Sequence, residues 1–125
     1  MVLWALENSH GGELFVPKIP SYRIVDVAEA IGPECEKPII GIRPGEKIHE
    51  EMITASDSFN TVDLGRYYAI LPTAGPHDFE QYQDIANCQP VEMGFSYNSG
   101  SNPDFLTVDQ LRKLVREHVD PDFSV

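Results

Sequence analysis

The dipeptide Pro44-Gly45 restricts the backbone conformation, because proline fixes φ and glycine readily accepts positive φ. It follows an apolar run, residues 38–42, that is rich in β-branched residues and too short for a helix. We therefore predict a buried strand there. Proline at the second position and glycine at the third favour a type II β-turn over residues 43–46. Such a turn brings the Cα atoms of Arg43 and Glu46 within ~7 Å of each other.

Arg43 and Glu46 are therefore candidate ligand-binding residues at one rigid corner. A guanidinium fork suits phosphate oxygens, a carboxylate accepts hydrogen bonds from sugar hydroxyls, and a rigid turn reduces the entropy lost on binding. The alternative is that the two side chains pair across a surface turn, which contributes about 0–1 kcal/mol and is the more frequent outcome. Lys18, on a loop after Pro17, is a third candidate ligand-binding residue. The alternative interpretation is that its side chain is solvated and binds no ligand.

Two helices are indicated by apolar stripes. The first stripe has helical spacing over residues 24–31, with Ser21 as its candidate N-cap and Gly32-Pro33 as its stop. The last helix follows a Thr-x-x-Gln capping box, Thr107 to Gln110. Its predicted buried stripe consists of Leu111, Leu114 and Val115.

The remaining elements are short. Residues 13–17 and 67–71 are predicted strands, and residues 47–53 are predicted as one helical turn that leads into a strand. Residues 3–8 have helical composition without an N-cap, so we expect residues 1–10 to be the tail of a longer helix. Residues 72–87 are expected to form a surface segment. Strands mixed with single helices predict an α+β fold, as one domain over residues 1–125.

Charge and length restrict the partners. The chain has 125 residues and a net charge of −11, which opposes binding to nucleic acid and to an anionic membrane surface. No stretch approaches the ~20 apolar residues of a membrane span, and no signal peptide is visible, so we expect a cytoplasmic protein. Cys35 and Cys88 form no Cys-x-x-Cys pair and indicate neither a zinc site nor a disulfide framework.

The familiar catalytic motifs are absent. No Gly-x-Gly-x-x-Gly loop opens a nucleotide site, no serine lies in a nucleophile elbow, and none of the tyrosines is followed by lysine at the fourth position. His49 has Ile53 where a zinc-protease helix requires a second histidine. We therefore assign no catalytic, cofactor-binding or metal-binding residue to this chain.

Three blocks of sequence do resemble a known family. They are GGELFVPKIPSYRIVDVAEAI, IIGIRPGEKIHEEMI and SYNSGSN-PDFLTVDQL, which together are similar to the C-terminal portion of the inverting UDP-N-acetylglucosamine 4,6-dehydratases. These enzymes belong to the extended short-chain dehydrogenase/reductase superfamily and serve bacterial polysaccharide and sialic-acid-like sugar biosynthesis. The resemblance extends from Val2 to about Val115.

The resemblance implies a full enzyme with a Rossmann domain that binds NADP and a smaller C-terminal domain that closes over the nucleotide-sugar. The family takes a hydride from sugar C4, eliminates water across C5 and C6 and returns the hydride at C6, using a Tyr-x-x-x-Lys pair. By resemblance Arg43 contacts the diphosphate and Glu46 the ribose of UDP, which favours ligand binding over the surface ion pair. Lys18 lies in a block of sequence that resembles the family, but the resemblance assigns no ligand atom to it.

Two hypotheses follow. The first is a nucleotide-sugar-binding part of a 4,6-dehydratase, inactive alone, which associates with itself or with a Rossmann domain in cis or in trans. The second is a non-catalytic interaction or regulatory module that keeps the fold without the ligand, with the acidic residues 67–111 as its contact surface.

Overall fold

A computed structural model of the chain describes residues 1–73, Tyr82 and residues 88–125. These residues form two compact units, each considered separately below. Unit 1 comprises Met1–Ile19 and Glu51–Asn98, and unit 2 comprises Pro20–Glu50 and Ser99–Val125. The α+β class predicted from the sequence is confirmed, since helices and antiparallel sheets are both present. The expectation of one domain over residues 1–125 stays a prediction.

Unit 1 is built on a four-stranded antiparallel sheet. In chain order its strands are β1 (Leu14–Pro17), β3 (Thr61–Asp63), β4 (Tyr67–Ile70) and β5 (Gln89–Pro90), arranged in space as β1-β4-β3-β5. A second sheet pairs β2 (Glu51–Ile53) with β6 (Tyr97–Asn98). The predicted strands at residues 13–17 and 67–71 are confirmed as β1 and β4.

The hairpin between β3 and β4 depends on a glycine turn that the sequence analysis missed. Gly65 has a φ of 80°, a backbone conformation that favours glycine. Its N–H donates to Asp63 Oδ1 at 2.8 Å, and Leu64 N–H donates to the Tyr67 carbonyl at 2.8 Å. The local hydrogen bonds therefore close the turn and set the register of the two strands.

The core of unit 1 is a cluster of buried side chains from β3, β4 and the residues beside them. Its members are Val62, Leu64, Ala69, Leu71 and Tyr82. Helix α1 (Val2–Asn8) packs on this cluster through Trp4, whose ring contacts the rings of Phe15 and Tyr67 at centroid distances of 5.4 and 4.7 Å. The helix predicted at residues 3–8 is thus confirmed.

Unit 2 contains helices α2 (Ile24–Ile31) and α3 (Val108–His118). The Arg112 side chain of α3 donates to the carbonyls of Ala30 and Glu29, both at 3.2 Å, and so satisfies acceptors near the end of α2. The Thr107–Gln110 capping box is confirmed, with both reciprocal hydrogen bonds present. The stripe predicted on α3 is less buried than expected, since Leu114 is 38% exposed.

Ser21 is not the N-cap of α2, and this prediction was wrong. The helix begins at Ile24 after Arg23, and no side chain caps it. Ser21 N–H donates to the Asp104 carbonyl and its own carbonyl accepts from Leu106 N–H, both at 2.8 Å. These bonds hold Ser21 in a bridge with Phe105, so its backbone serves a nonlocal contact instead of the helix start.

The buried strand predicted at residues 38–42 is also wrong. These residues are neither in a strand nor buried, and Ile39 is 99% exposed. Gly41 has a φ of 82°, which interrupts an extended backbone, and no ladder with another described segment forms here. A strand needs a partner as well as β-branched residues.

Two further predictions need correction or fall outside the described residues. Residues 48–49 form a bend and residues 47 and 50 have no regular structure, so the predicted helical turn is absent, although β2 does follow. The surface segment predicted at residues 72–87 lies outside the described residues over 74–81 and 83–87. Within it Tyr82 is fully buried, which contradicts a surface location at that position.

Candidate functional site

The β-turn predicted over residues 43–46 is present in unit 2. Glu46 N–H donates to the Arg43 carbonyl at 3.1 Å, and Gly45 has a φ of 84°, as the third position of a type II turn requires. A Cβ at Gly45 would meet nothing within 4 Å. Backbone conformation and not lack of space therefore selects glycine at this position.

Arg43 and Glu46 point toward each other across this turn. Glu46 Oε2 accepts a hydrogen bond from Arg43 N–H at 2.7 Å, and Arg43 Nη1 lies 3.8 Å from Glu46 Oε1. The two side chains are 71% and 45% exposed. The ion pair that was the alternative interpretation is thus formed, but at this exposure it contributes only about 0–1 kcal/mol. Most guanidinium N–H groups of Arg43 still face solvent.

Lys18 lies in unit 1, directly after β1, and is held by other side chains. Its Nζ donates to both carboxylate oxygens of Asp63, at 2.6 and 2.7 Å. It also lies over the Tyr68 ring, 4.4 Å from the centroid, a cation–π geometry. Both members of the ion pair are about a third exposed. The positive charge of Lys18 is therefore largely balanced within unit 1.

An aromatic cluster built on Tyr68 lies beside Lys18, and sequence reasoning missed it. The Tyr68 ring lies 5.2 Å from Phe95 and 5.3 Å from Tyr97. Burial raises the pKa of Tyr68, and the nearby Lys18 ammonium offsets part of that rise. The Tyr97 hydroxyl accepts from Ile19 N–H and donates to the Ile19 carbonyl, each at 2.8 Å. These bonds fix the backbone next to Lys18.

The structure thus groups Arg43 with Glu46 on one turn of unit 2 and places Lys18 with Asp63 and Tyr68 in unit 1. The Arg43–Glu46 pair was predictable because both residues belong to one turn. Asp63 is 45 positions from Lys18 in sequence, and no local pattern connects them. The ligand roles predicted for all three site residues stay predictions.

The described residues do not form a cradle for the phosphates of a dinucleotide cofactor. That cradle needs a glycine-rich turn leading into a helix N-terminus. Here Tyr22-Arg23 precedes α2 and Leu106-Thr107 precedes α3, so neither helix follows such a turn. Among residues 1–73, Tyr82 and 88–125, no group of three or more His, Cys, Asp or Glu side chains is placed to hold a metal ion. Across the described part of the chain, no helix has both the length and the apolar character needed to cross a membrane.

These features define a small α+β protein with a charged, solvent-facing turn and no dinucleotide cradle of its own among the described residues. Residues 1–72 match the family described as "Polysaccharide biosynthesis protein". Since that match covers more than half of the sequence, the chain belongs to the polysaccharide biosynthesis protein family.

Individual relatives agree with this membership. The chain is 42% identical over 118 residues to the UDP-N-acetylglucosamine 4,6-dehydratase (inverting) of Campylobacter jejuni, a match that covers 91% of this chain and 35% of that protein. It is 29% identical over 119 residues to a UDP-glucose 4-epimerase of Rickettsia felis, covering 92% of this chain and 34% of the epimerase. The resemblance to the C-terminal portion of the inverting dehydratases is thereby confirmed.

A solved structure shares the fold. The X-ray structure of Pen from Bacillus thuringiensis superposes with a TM-score of 0.71 at 25% identity, over 92% of this chain and 34% of the other. The chain therefore spans about a third of the length of the proteins it matches.

Proposed function

We propose that this chain is the nucleotide-sugar-binding part of a UDP-N-acetylglucosamine 4,6-dehydratase that serves bacterial surface polysaccharide or nonulosonic acid biosynthesis. The observation that carries the proposal is the Arg43–Glu46 turn, which presents a cation and a carboxylate side by side toward solvent. The 42% identity to a protein with that activity supports the choice of ligand.

The geometry of the turn suits a nucleoside diphosphate. Because Arg43 is 71% exposed, its guanidinium can donate two parallel hydrogen bonds to diphosphate oxygens. Glu46 Oε2 already accepts from a backbone amide, which fixes the orientation of the carboxylate. Glu46 Oε1, whose contact with Arg43 Nη1 is long at 3.8 Å, would then accept from a ribose hydroxyl. Lys18 would also contact the substrate only if its ammonium group bound the substrate and Asp63 at the same time.

The chain alone is expected to be catalytically silent. Hydride transfer requires NADP, and the residues described here offer no cradle for its phosphates. In this proposal a cofactor-binding Rossmann domain comes from additional polypeptide, in cis or in trans, and this chain supplies substrate affinity. We propose that this chain is located in the cytoplasm, where nucleotide-sugars are made.

The direct test is a titration of the ¹⁵N-labelled chain with UDP and with UDP-N-acetylglucosamine, followed by NMR and calorimetry. We expect fast-exchange shifts centred on the amides of residues 43–46. Arg43→Ala should weaken binding by roughly 10- to 100-fold, since a hydrogen bond to a charged group contributes about 1.5–3 kcal/mol. Arg43→Lys should restore only part of the affinity, because an ammonium lacks the planar fork.

Lys113→Ala is the matched control for this experiment. Lys113 is 70% exposed and lies 3.6 Å from Glu117 on α3, so its exposure and pairing resemble those of Arg43. Both substitutions remove one positive charge from unit 2. Equal losses of affinity in the two variants would show a nonspecific charge effect and reject the turn as the site. No shift at millimolar ligand would favour the interaction module.

A further inference from the structure

The turn that carries Arg43 and Glu46 lies within a stretch of unit 2, residues 38–48, that is exposed throughout. Its hydrogen bonds and its ion pair lie within the turn itself. None joins residues 38–48 to another segment of the described chain. The position of the turn therefore depends on how the two ends of the stretch are attached.

Both ends are attached by hydrogen bonds. Before the stretch, Lys37 Nζ donates to Glu29 Oε2 at 3.0 Å and to the Pro33 carbonyl at 2.9 Å. After it, Glu50 N–H donates to Ser99 Oγ at 3.0 Å, and the Glu50 carbonyl accepts from Ser99 N–H at 2.8 Å. The second attachment joins residues far apart in sequence and fixes where the stretch ends.

A closer contact lies beside the second attachment. A Cβ at Gly100 would lie 2.8 Å from His49 Cγ, 2.9 Å from His49 Cδ2 and 3.0 Å from His49 Nδ1. The φ of Gly100 lies outside the left-handed region, so its backbone conformation does not require glycine. The imidazole ring thus rests directly on the Gly100 backbone and leaves no room for a larger residue.

His49 is held by this packing and not by polar contacts. Its side chain makes no hydrogen bond or ion pair with another described residue. The ring atoms nearest Gly100 include Cγ, the ring atom closest to the His49 backbone. A methyl group added at Gly100 would therefore displace the whole side chain and not only the tip of the ring. Because His49 follows Glu46 by three positions, its Cα lies within ~11 Å of the Glu46 Cα.

From these contacts we propose that Gly100 and His49 are positioning residues for the nucleoside diphosphate. Their contact fixes the end of the stretch and thereby holds the Arg43–Glu46 turn in place before the ligand arrives. This inference rests on the proposed function and extends it to residues that do not touch the ligand. A site held in one conformation loses less freedom on binding, so loss of this contact should weaken affinity without removing a ligand contact.

NMR relaxation of the ¹⁵N-labelled chain without ligand measures the positioning. His49→Ala and Gly100→Ala should each lower the amide order parameters of residues 43–48 from about 0.85, the value of rigid backbone, toward about 0.6. The double variant should be no looser than either single variant, because both substitutions remove the same contact. His49→Phe keeps a flat ring and should preserve the order parameters.

Titration with UDP then measures the effect on binding. His49→Ala and Gly100→Ala should weaken affinity by about 3- to 10-fold, and His49→Phe should restore it. Circular dichroism should show the variants folded. Because His49 is exposed, the two His49 variants decide the question if Gly100→Ala does not fold.

Gly32→Ala is the matched control. Gly32 also belongs to unit 2 and has a φ of −140°, and a Cβ there would lie 2.9 Å from Cys35 Sγ. The local crowding is therefore similar, but Gly32 lies at the end of α2 and does not contact residues 49–50. This variant should change neither the order parameters of residues 43–48 nor the affinity for UDP.

Four results would overturn the proposal. They are unchanged order parameters in His49→Ala, additive effects in the double variant, equal loosening by Gly32→Ala, and loss of UDP affinity in His49→Phe with unchanged order parameters. The last result would make the imidazole a ligand contact. If UDP does not bind the unmodified chain, the proposed function fails, while the relaxation data still decide whether His49 and Gly100 hold the turn.

Discussion

The carboxylate of Glu13 organises the loop between α1 and β1. It accepts hydrogen bonds from the Ser9 hydroxyl at 2.7 Å and from the backbone N–H groups of His10 and Gly11 at 2.7 and 2.8 Å. The hydroxyl of buried Tyr82 donates a further hydrogen bond. Burial alone would raise the pKa of Glu13, but the bonds from Tyr82, Ser9 and the backbone outweigh it and lower the pKa from 4.5 to about 2. Ionised Glu13 therefore stabilises the fold.

The sign of its pH dependence follows from the lowered pKa. A carboxyl group that ionises more readily when folded contributes its stability above pH 4.5 and loses it as the pH falls from 4.5 toward about 2. We expect Glu13→Gln to lower the free energy of unfolding at pH 7 by about 1–2 kcal/mol. It should also flatten the acid dependence of that free energy. Urea denaturation at pH 7, 5, 4 and 3 measures both effects.

Glu92→Gln is the control for this prediction. Glu92 is exposed, and none of its side-chain atoms is hydrogen-bonded to another described residue. The control should therefore leave the urea midpoint unchanged within error at each pH. Identical acid dependence in the unmodified chain and in Glu13→Gln would contradict the role assigned to this carboxylate.

At the scale of elements, the best-specified helix is α3. Its Thr107 hydroxyl accepts from Gln110 N–H at 3.3 Å, and the Gln110 side chain accepts from Thr107 N–H at 2.8 Å. Two backbone donors that the helix itself leaves unpaired are thus satisfied. Asp109 in the first turn and Arg116 and His118 in the last turn also match the helix dipole.

We expect Thr107→Ala to lower the free energy of unfolding by about 1 kcal/mol, the usual effect of losing an N-cap side chain. Urea denaturation followed by circular dichroism at 222 nm measures the loss. Thr73→Ala serves as the control, because Thr73 is exposed and outside any described helix or strand. A loss of equal size in the control would mean that the capping box contributes nothing specific.

The elements predicted correctly are those whose signals are local. The capping box of α3, the Pro-Gly turn at residues 43–46, and strands β1 and β4 each depend on residues close together in sequence. Each of these patterns also indicates which hydrogen bonds will form or where the element will end. The α+β class and the turn that carries Arg43 and Glu46 could therefore be predicted from the sequence.

The errors concern contacts between distant residues. Ser21 has the chemistry of an N-cap, but its backbone bonds to Asp104 and Leu106, more than 80 positions away. Residues 38–42 have the composition of a strand, but no described segment pairs with them. The Lys18–Asp63 bond joins the residue directly after β1 to β3 and likewise depends on the sheet order. Local propensity cannot supply such pairings, because tertiary packing decides them.

At the scale of the whole molecule, burial is distributed unevenly between the two units. Of the buried hydrophobic side chains among the described residues, Ala30 alone belongs to unit 2. The others, including Val62, Ala69 and Tyr82, belong to unit 1. Since apolar burial is the main favourable term in folding, unit 1 should resist opening more strongly than unit 2.

Native-state hydrogen exchange followed by NMR tests this difference. We expect the amides of β3 and β4 to exchange at least ~10-fold more slowly than those of α2 and α3, because opening unit 2 exposes little buried apolar surface. Ala30→Gly and Ala69→Gly form a matched pair, since the two alanines are 1% and 0% exposed. Ala30→Gly should accelerate exchange in α2 and α3 and leave β4 unchanged. If both variants accelerate exchange equally in all four elements, the units open together, and the chain is one cooperative domain despite its two centres of packing.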